Sequence, residues 1–430
     1  MSSGISATVA RPSIALIDVN NFYVSCERVF NPKLRDQPLV VLSNNDGCAI
    51  SRSNEAKQIG IRMGAPWFEC QPLAKKHGVK ALSSNYALYA DMSNRVMSLL
   101  RDFSPQQEVY SIDECFLDLT GIQGDLADYG QQIRQRVLQW TGLPVCVGIG
   151  ATKTLAKLAN HCAKKMTQFD GVCNLNQLSA DSLKHLLQSI DVSEVWGVGH
   201  RLSAQLKKLG IHTVYDLQQA DVRYLRGQFS VVMAKTISEL NGVCTIALEQ
   251  IRPARKQILS SRSFGQTVCS LDDLAEAVTK FTSRAAQKLR SQHSLAGGVY
   301  VYIRTNPYRP LDPQYSQGMS VSFPCPTDDT GHLVQGALWG LRHIYQAGYR
   351  YAKAGICLME LVDVDAQQQD LFIASASPRA ALIQTLDQLN AKLGRDVVRL
   401  ASEGMGYRWK MRQENKSPNY TTRWQDILKV

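Results

Sequence analysis

Three carboxylates carry the chemistry this sequence can do. Asp18 ends the short apolar run SIALID, and Asp113 and Glu114 stand side by side in YSIDE. Neighbouring residues of a flat strand point to opposite faces. Both acids can therefore address one site only at a strand end or hairpin bend, where the alternation around YSIDECF puts them. Converging, the three suit two Mg²⁺ ions about 3.5–4 Å apart, one activating an attacking oxygen and one stabilising a leaving oxygen. Each acid could instead cap a turn.

Two phosphate-binding candidates accompany the acids. GIGATKTLAKLA starts on a strand end, turns on glycine and opens a helix bearing Lys153 and Lys157 one turn apart. Helix-start amides and ammonium groups attract phosphate oxygens. No glycine precedes Lys153 directly, so this is not a Walker A loop, and a solvated basic face is the plain alternative. The second candidate is Ser51, Arg52, Asn54 and Lys57, at the start and along one side of a helix expected over SRSNEAKQIG. A third motif, VWGVGHRLSAQLKKLGI, has a GxG turn followed by Lys207 and Lys208. It resembles the helix–hairpin–helix element that grips DNA through backbone amides, a contact blind to sequence.

The elements needed to position these residues can be read coarsely. Ser13–Asp18 and Pro144–Ile149 are apolar enough for buried strands. Glu108–Thr120 is too long for one strand and is read as a hairpin. Helices are expected over Tyr86–Leu100, Leu126–Trp140 and Thr152–Lys165. Strand, helix, strand–strand, helix, strand is the ferredoxin-like split βαβ order, here interrupted after its first strand by an insertion over 30–80. In that order the first and central strands are neighbours, which would bring Asp18 to face Asp113 and Glu114. Residues 175–242 read as short helices, and alternation such as GGVYVYIRT makes 250–309 part of a second α+β domain. Polar composition from about Asp363 reads as a linker.

Length and charge set the frame. The chain has 430 residues, 44% of them hydrophobic, too many for one compact core and too apolar for disorder. Its formal charge is +11, which favours a polyanionic partner, nucleic acid before anionic membrane. Residues 250–309 hold ten Lys and Arg against three acids, more than half of that surplus. No apolar run approaches a membrane span, and the first residues do not read as a signal peptide. The eleven cysteines include no CxxC pair and are expected to be reduced, mostly buried residues of a cytoplasmic protein.

DVNNFYVSCE, SNNDGC, RSNEAKQIGIRMGAPWF, YSIDECFLDLT, GIGATKTLAKLANH, WGVGHR, SRSFG and SPNYTTRW resemble the Y-family translesion DNA polymerases. MGAPWF and YTTRW point to the UmuC branch rather than the DinB branch. The resemblance implies an α+β multidomain, right-hand polymerase fold. Residues 14–30 and 80–175 would form a ferredoxin-like palm, 31–79 small fingers, and 176–248 a helical thumb with the helix–hairpin–helix. Residues 255–362 would form an α+β little finger and 363–430 a tail with clamp-binding and partner-binding motifs.

The resemblance also assigns roles. Asp18, Asp113 and Glu114, with the Val19 carbonyl, would hold two Mg²⁺ ions for attack of a primer 3′ hydroxyl on an incoming deoxynucleoside triphosphate. Tyr23 would be the steric gate that excludes a ribose 2′-hydroxyl; a buried core tyrosine is the alternative. Ser51, Lys57 and Lys157 would bind the triphosphate. Asn21 and Asn54 stand where relatives often carry tyrosines, which leaves the usual phenol contacts open. Gly197, Gly199, Lys207, Lys208 and Arg262 would contact primer–template DNA. Gln368, Leu371 and Phe372, in QQDLF, resemble a sliding-clamp motif. The last fifty residues would meet a processed UmuD dimer and RecA, with Tyr420, Arg423 and Trp424 as candidate anchors. Error-prone translesion synthesis in the SOS response is the implied activity. A catalytically inactive DNA-binding scaffold and a nucleotidyl cyclase on a palm-like sheet are the alternatives.

Overall fold

In this computed structural model the residues described are 11–249, 253–366, 379–394, 396–404, 409 and 411–428. The chain divides into two compact units, one comprising residues up to 42, 48–252 and those from 415 on, the other comprising 43–47 and 253–414.

The first unit is organised around β1 (Ile14–Val19), which is buried on both faces. Its odd-numbered residues Ala15, Ile17 and Val19 join the main core, whereas Ile14 and Leu16 pack on the opposite side with Phe116 and Ala156. Period two therefore assigns Asp18 to the same side as Ile14 and Leu16. After β1 come α1 (Phe22–Phe30), β2 (Leu39–Leu42), β3 (Ala49–Arg52), α2 (Asn54–Gln58), α3 (Trp67–Lys76) and β4 (Lys80–Ser83). The strands β3-β2-β4 make a small sheet of their own. Then follow α4 (Tyr86–Leu100), β5 (Gln107–Val109), β6 (Glu114–Asp118), α5 (Leu126–Thr141), β7 (Val145–Gly150), α6 (Lys153–Lys165) and β8 (Val172–Asn174).

The five-stranded sheet has the order β5-β6-β1-β7-β8, with β1 antiparallel to both neighbours. The expected hairpin and the split βαβ order are both present, with β8 added at one edge. The spacing of glycines in VCVGIG has a packing reason. A Cβ at Gly148 would run into the Asn160 backbone, and one at Gly150 would lie 2.7 Å from Leu155 Cβ. Only glycine lets α6 lie directly on β7, where Asn160 donates to the carbonyls of Leu16 and Cys146 at 3.1 and 2.9 Å.

One local expectation is corrected. Ser51 and Arg52 do not start a helix; they lie on β3, paired with Val41 and Val40 of β2. The helix begins after Ser53, whose hydroxyl accepts the Ala56 N–H and so caps α2. Five helices complete the first unit: α7 (Ala180–Ser189), α8 (His200–Lys208), α9 (Val214–Gln219), α10 (Val222–Gln228) and α11 (Val231–Leu240). They share a core with the outer side of α6, formed by Leu158, Cys162, Leu206 and Ile237 among others.

The second unit runs β9 (Ile258–Val268), α12 (Leu271–Ser291), β10 (Ser294–Thr305), β11 (Ser316–Thr327), α13 (Thr330–Ile344), β12 (Tyr351–Asp363) and α14 (Ala380–Leu393). Its sheet order is β11-β10-β12-β9, and α12 and α13 bury Val299, Val301, Ile303, Ala354 and Ile356 of its strands. Tyr300, Tyr302 and Arg304 alternate with those residues and take the other face. The expected linker from about Asp363 holds only in part: β12 reaches Asp363, α14 follows, and residues from 415 on return to the first unit. No disulfide joins any two cysteines, and seven of the eleven are buried. Among the described residues, no helix is long and apolar enough to cross a membrane.

Candidate active site

The register of β1 on β6 sets Asp18 directly opposite Glu114, while Leu16 faces Phe116 two residues on. Asp113 is one residue earlier, in the bend between β5 and β6, and its carbonyl accepts the Val19 N–H at 3.0 Å. The Ser111 hydroxyl fixes that bend, donating to Asp113 Oδ1 at 2.6 Å. Asp18 thus lies with Asp113 and Glu114 at one end of the sheet, although 95 residues separate it from Asp113 in sequence.

The side chains of Asp18 and Glu114 are held by α6, the helix on that face. Lys164 Nζ lies 2.5 Å from Asp18 Oδ2, and Lys157 Nζ reaches both Glu114 oxygens at 2.8 and 3.0 Å. Burial pushes the Asp18 carboxyl up to about 6; Lys164 opposes that rise, and Glu114 and Asp113 add to it. Among the described residues, as the side chains stand, no three His, Cys, Asp or Glu are grouped closely enough to hold a metal ion. The positions nonetheless fit one. Two of these crowded acids each hold an ammonium group, and carboxylate oxygens gathered from three residues form a donor set for a divalent cation.

Sequence reading missed Lys164. It lies seven residues after Lys157, two helical turns along the same face, so the spacing was legible. Lys153 goes the other way. The phosphate role considered for it does not fit, because its ammonium is buried against both Glu108 oxygens at 2.8 and 2.6 Å. The partner is 45 residues away and nothing in the local motif announces it.

Ser51 is also occupied: it donates to the Asn21 carbonyl and accepts the Val24 N–H, both at 3.3 Å, tying β3 to the start of α1. Lys57 donates to Asn21 Oδ1 at 2.6 Å. Burial lowers its pKa, helped by Arg52, Lys165 and Lys164, so these cations share one region with Asp18. Tyr23, in the first turn of α1, stacks on Tyr89 with centroids 4.4 Å apart and planes 13° apart, and meets Tyr86 edge-on at 6.2 Å. Burial, then Tyr86, push its phenol up to about 12.

In the helical part, Gly197 has φ +87°, a conformation that favours glycine, and Gly199 is the N-cap of α8. Neither has an atom within 4 Å of where a Cβ would stand, so the turn presents open backbone. Lys208 is exposed, whereas Lys207 is paired with Asp191 at 2.7 Å. In the second unit Arg262 shares the core-facing side of β9 with Ile258 and Phe264, half-buried beside Arg284. It is not on the sheet's open face, where Tyr300, Tyr302 and Arg304 lie. Gln368, Leu371 and Phe372 fall outside the described residues.

The sequence signature of the impB/mucB/samB family matches residues 17–161, its C-terminal domain 255–371 and its HHH motif 180–211. This chain belongs to that family. Within it, Protein UmuC of Salmonella typhimurium is 45% identical across 97% of this chain and 99% of its own length. MucB of Escherichia coli is 42% identical across 96% and 98%. DNA polymerase IV of Moorella thermoacetica is 28% identical across 90% and 95%. A solved Y-family DNA polymerase chimera of Dbh and Dpo4 has the same fold, with a TM-score of 0.64, 20% identity and coverage of 82% of this chain and 99% of that one. Residues 380–430 match a domain of unknown function, DUF4113.

Proposed function

We propose that this chain is an error-prone, DNA-templated DNA polymerase that performs translesion synthesis in the SOS DNA-damage response, the catalytic subunit of a UmuC-type enzyme. The observation that carries the reading is the pairing of Asp18 with Glu114 across β1 and β6, with Asp113 one residue behind.

Asp18, Asp113 and Glu114, with the Val19 carbonyl, would hold two Mg²⁺ ions. Bound there, the ions supply charge neutralisation on the triphosphate and activation of the primer 3′ oxygen. The bond from that oxygen to the α-phosphorus forms as the bond to pyrophosphate breaks. The lysines now on the acids then have a second use. With metal on the carboxylates, Lys157 and Lys164 would be free to bind the triphosphate, with Lys57 and Arg52 close by. Tyr23 would stack under the sugar and exclude its 2′-hydroxyl.

The three-stranded β3-β2-β4 sheet, with strands of four residues each, serves as small fingers. So slight a closing element checks the shape of the new base pair weakly, which supports low fidelity and acceptance of damaged templates. The exposed glycine turn before α8, Lys208, and the Tyr300–Tyr302–Arg304 face would track DNA backbone and bases. The QQDLF motif would dock on the sliding clamp, and processed UmuD and RecA would complete the assembly.

Primer extension across an abasic template, with Asp113→Ala beside the wild type, is the test. Extension that needs Asp113 and divalent cation supports the reading; undiminished extension by the variant overturns the metal assignment. DNA binding without nucleotide incorporation by either protein would leave the inactive scaffold.

A further inference from the structure

Residues 415–420 lie on the first unit along the edge of β4. Asn415 and Ser83 exchange hydrogen bonds at 3.0 Å, and Lys416 forms a parallel bridge with Ser83. The Asn85 amide, whose oxygen caps α4, donates to the Ser417 carbonyl, the Ser417 hydroxyl and the Pro418 carbonyl at 3.1, 3.0 and 3.0 Å. Two residues on, Tyr420 stacks on Phe30 of α1, centroids 5.1 Å apart and planes 8° apart. This is a built seat, with backbone pairing, a three-way amide clamp and a ring stack.

From that seat Ser417 reaches inward. Its hydroxyl donates to Glu27 Oε1 at 2.9 Å, and the Tyr89 hydroxyl donates to the same oxygen at 2.7 Å. Glu27 is 1% exposed and Tyr89 fully buried. Burial pushes the Glu27 carboxyl up, and the two hydroxyls oppose it. Glu27 lies one helical turn after Tyr23 on α1, and Tyr89 is the ring on which Tyr23 stacks.

We propose that the 415–420 segment, acting through Ser417, Glu27 and Tyr89, positions Tyr23 and thereby sets how strictly the polymerase reads the sugar of the incoming nucleotide. The inference rests on Tyr23 being the sugar gate. Its logic is geometric. A ring can exclude one hydroxyl only if its plane is fixed to a fraction of an ångström, and precision at a site depends on the groups that lock its rotamers. Tyr89 supplies that plane, and its own hydroxyl is anchored to a buried carboxylate that Ser417 helps satisfy. Glu27, Tyr89 and Ser417 are positioning residues and need not touch the nucleotide.

The test compares kcat/KM for a deoxynucleotide and its ribonucleotide on one primer–template, using the full chain. Tyr23→Ala should abolish sugar discrimination. Ser417→Ala and Tyr89→Phe should each lower the deoxy-to-ribo ratio by about five- to tenfold, mainly through faster ribonucleotide use. Ser417→Thr, which keeps the hydroxyl, should restore it. In a Tyr23→Ala background, Ser417→Ala should have no further effect on the ratio.

If Tyr23→Ala lowers the ratio and neither Ser417→Ala nor Tyr89→Phe does, the relay is refuted while the gate stands. If Tyr23→Ala leaves the ratio unchanged, the gate reading fails and takes the relay with it. An equal Ser417→Ala effect with and without Tyr23 means general loosening and also refutes the proposal. Should Ser417→Ala fold poorly, Tyr89→Phe carries the comparison, because it leaves the Ser417–Glu27 bond in place.

Discussion

Lys164, two helical turns beyond Lys157 on α6, closes on Asp18 at 2.5 Å. An ammonium group therefore stands at the carboxylate that the proposed chemistry would give to a divalent ion, and the two compete for it. Lys164→Ala should lower the Mg²⁺ concentration for half-maximal primer extension by about three- to tenfold, since a neighbouring positive charge is gone. A Mg²⁺ titration at saturating nucleotide reads it. An unchanged midpoint would mean that Lys164 leaves Asp18 before metal arrives.

Asp18 also gives a pH signature in metal-free protein. Its carboxyl titrates near 6 when folded, against an ordinary 3.8. Below 3.8 both folded and unfolded states are protonated, and the stabilising preference for the proton is fully present. As pH rises through 3.8 to 6 only the folded state keeps the proton, so stability falls, by about 2–3 kcal/mol in total. Urea denaturation in chelator at pH 4 and pH 7 should show this decline in the wild type and a smaller one in Asp18→Asn. Equal declines would place the titration elsewhere.

The Glu108–Lys153 pair makes a stability prediction of opposite kind. Glu108 also accepts the Glu249 N–H at 2.8 Å, and the pair is almost wholly enclosed. Removing one partner leaves a buried charge alone, so Lys153→Ala should cost about 3–5 kcal/mol. Replacing both by Leu and Met should recover most of that loss. Thermal unfolding of the single and double variants decides it; additive losses would argue that the charges do not depend on each other.

Gly148→Ala tests the platform under the acids. A methyl group there meets the Asn160 backbone and not a side chain that can turn away. Displacing α6 should cost about 2–4 kcal/mol and weaken primer extension with it, because Lys157 and Lys164 ride on that helix. Wild-type stability in this variant would show that α6 can lift off β7 freely.

What the sequence could disclose tracks how local each cause is. The alternation in SIALID, the bend in YSIDE and the glycines of VCVGIG are short-range signals, and the sheet order and the meeting of Asp18 with Glu114 followed from them. SRSNEAKQIG looks helical as a whole, Ser51 and Arg52 included; the pairing of β3 with β2 outweighs that preference for its first residues. Lys153 and Lys157 look alike in the motif, and only partners 45 and 43 residues away distinguish a buried pair from a site lysine. The return of residues 415–420 to Glu27 spans 390 positions, and polar composition there gave no hint of a seat.

That return has a consequence for the order of synthesis. Residues 253–414 fold into one body, yet the body before them takes in residues from 415 on. On a translating ribosome the earlier body cannot be finished until the whole later one has been made. A chain cut or released anywhere between 253 and 414 would keep its acids, its lysines and its glycine turn. It would lack the serine that reaches Glu27, and such fragments would carry an incomplete interior behind α1.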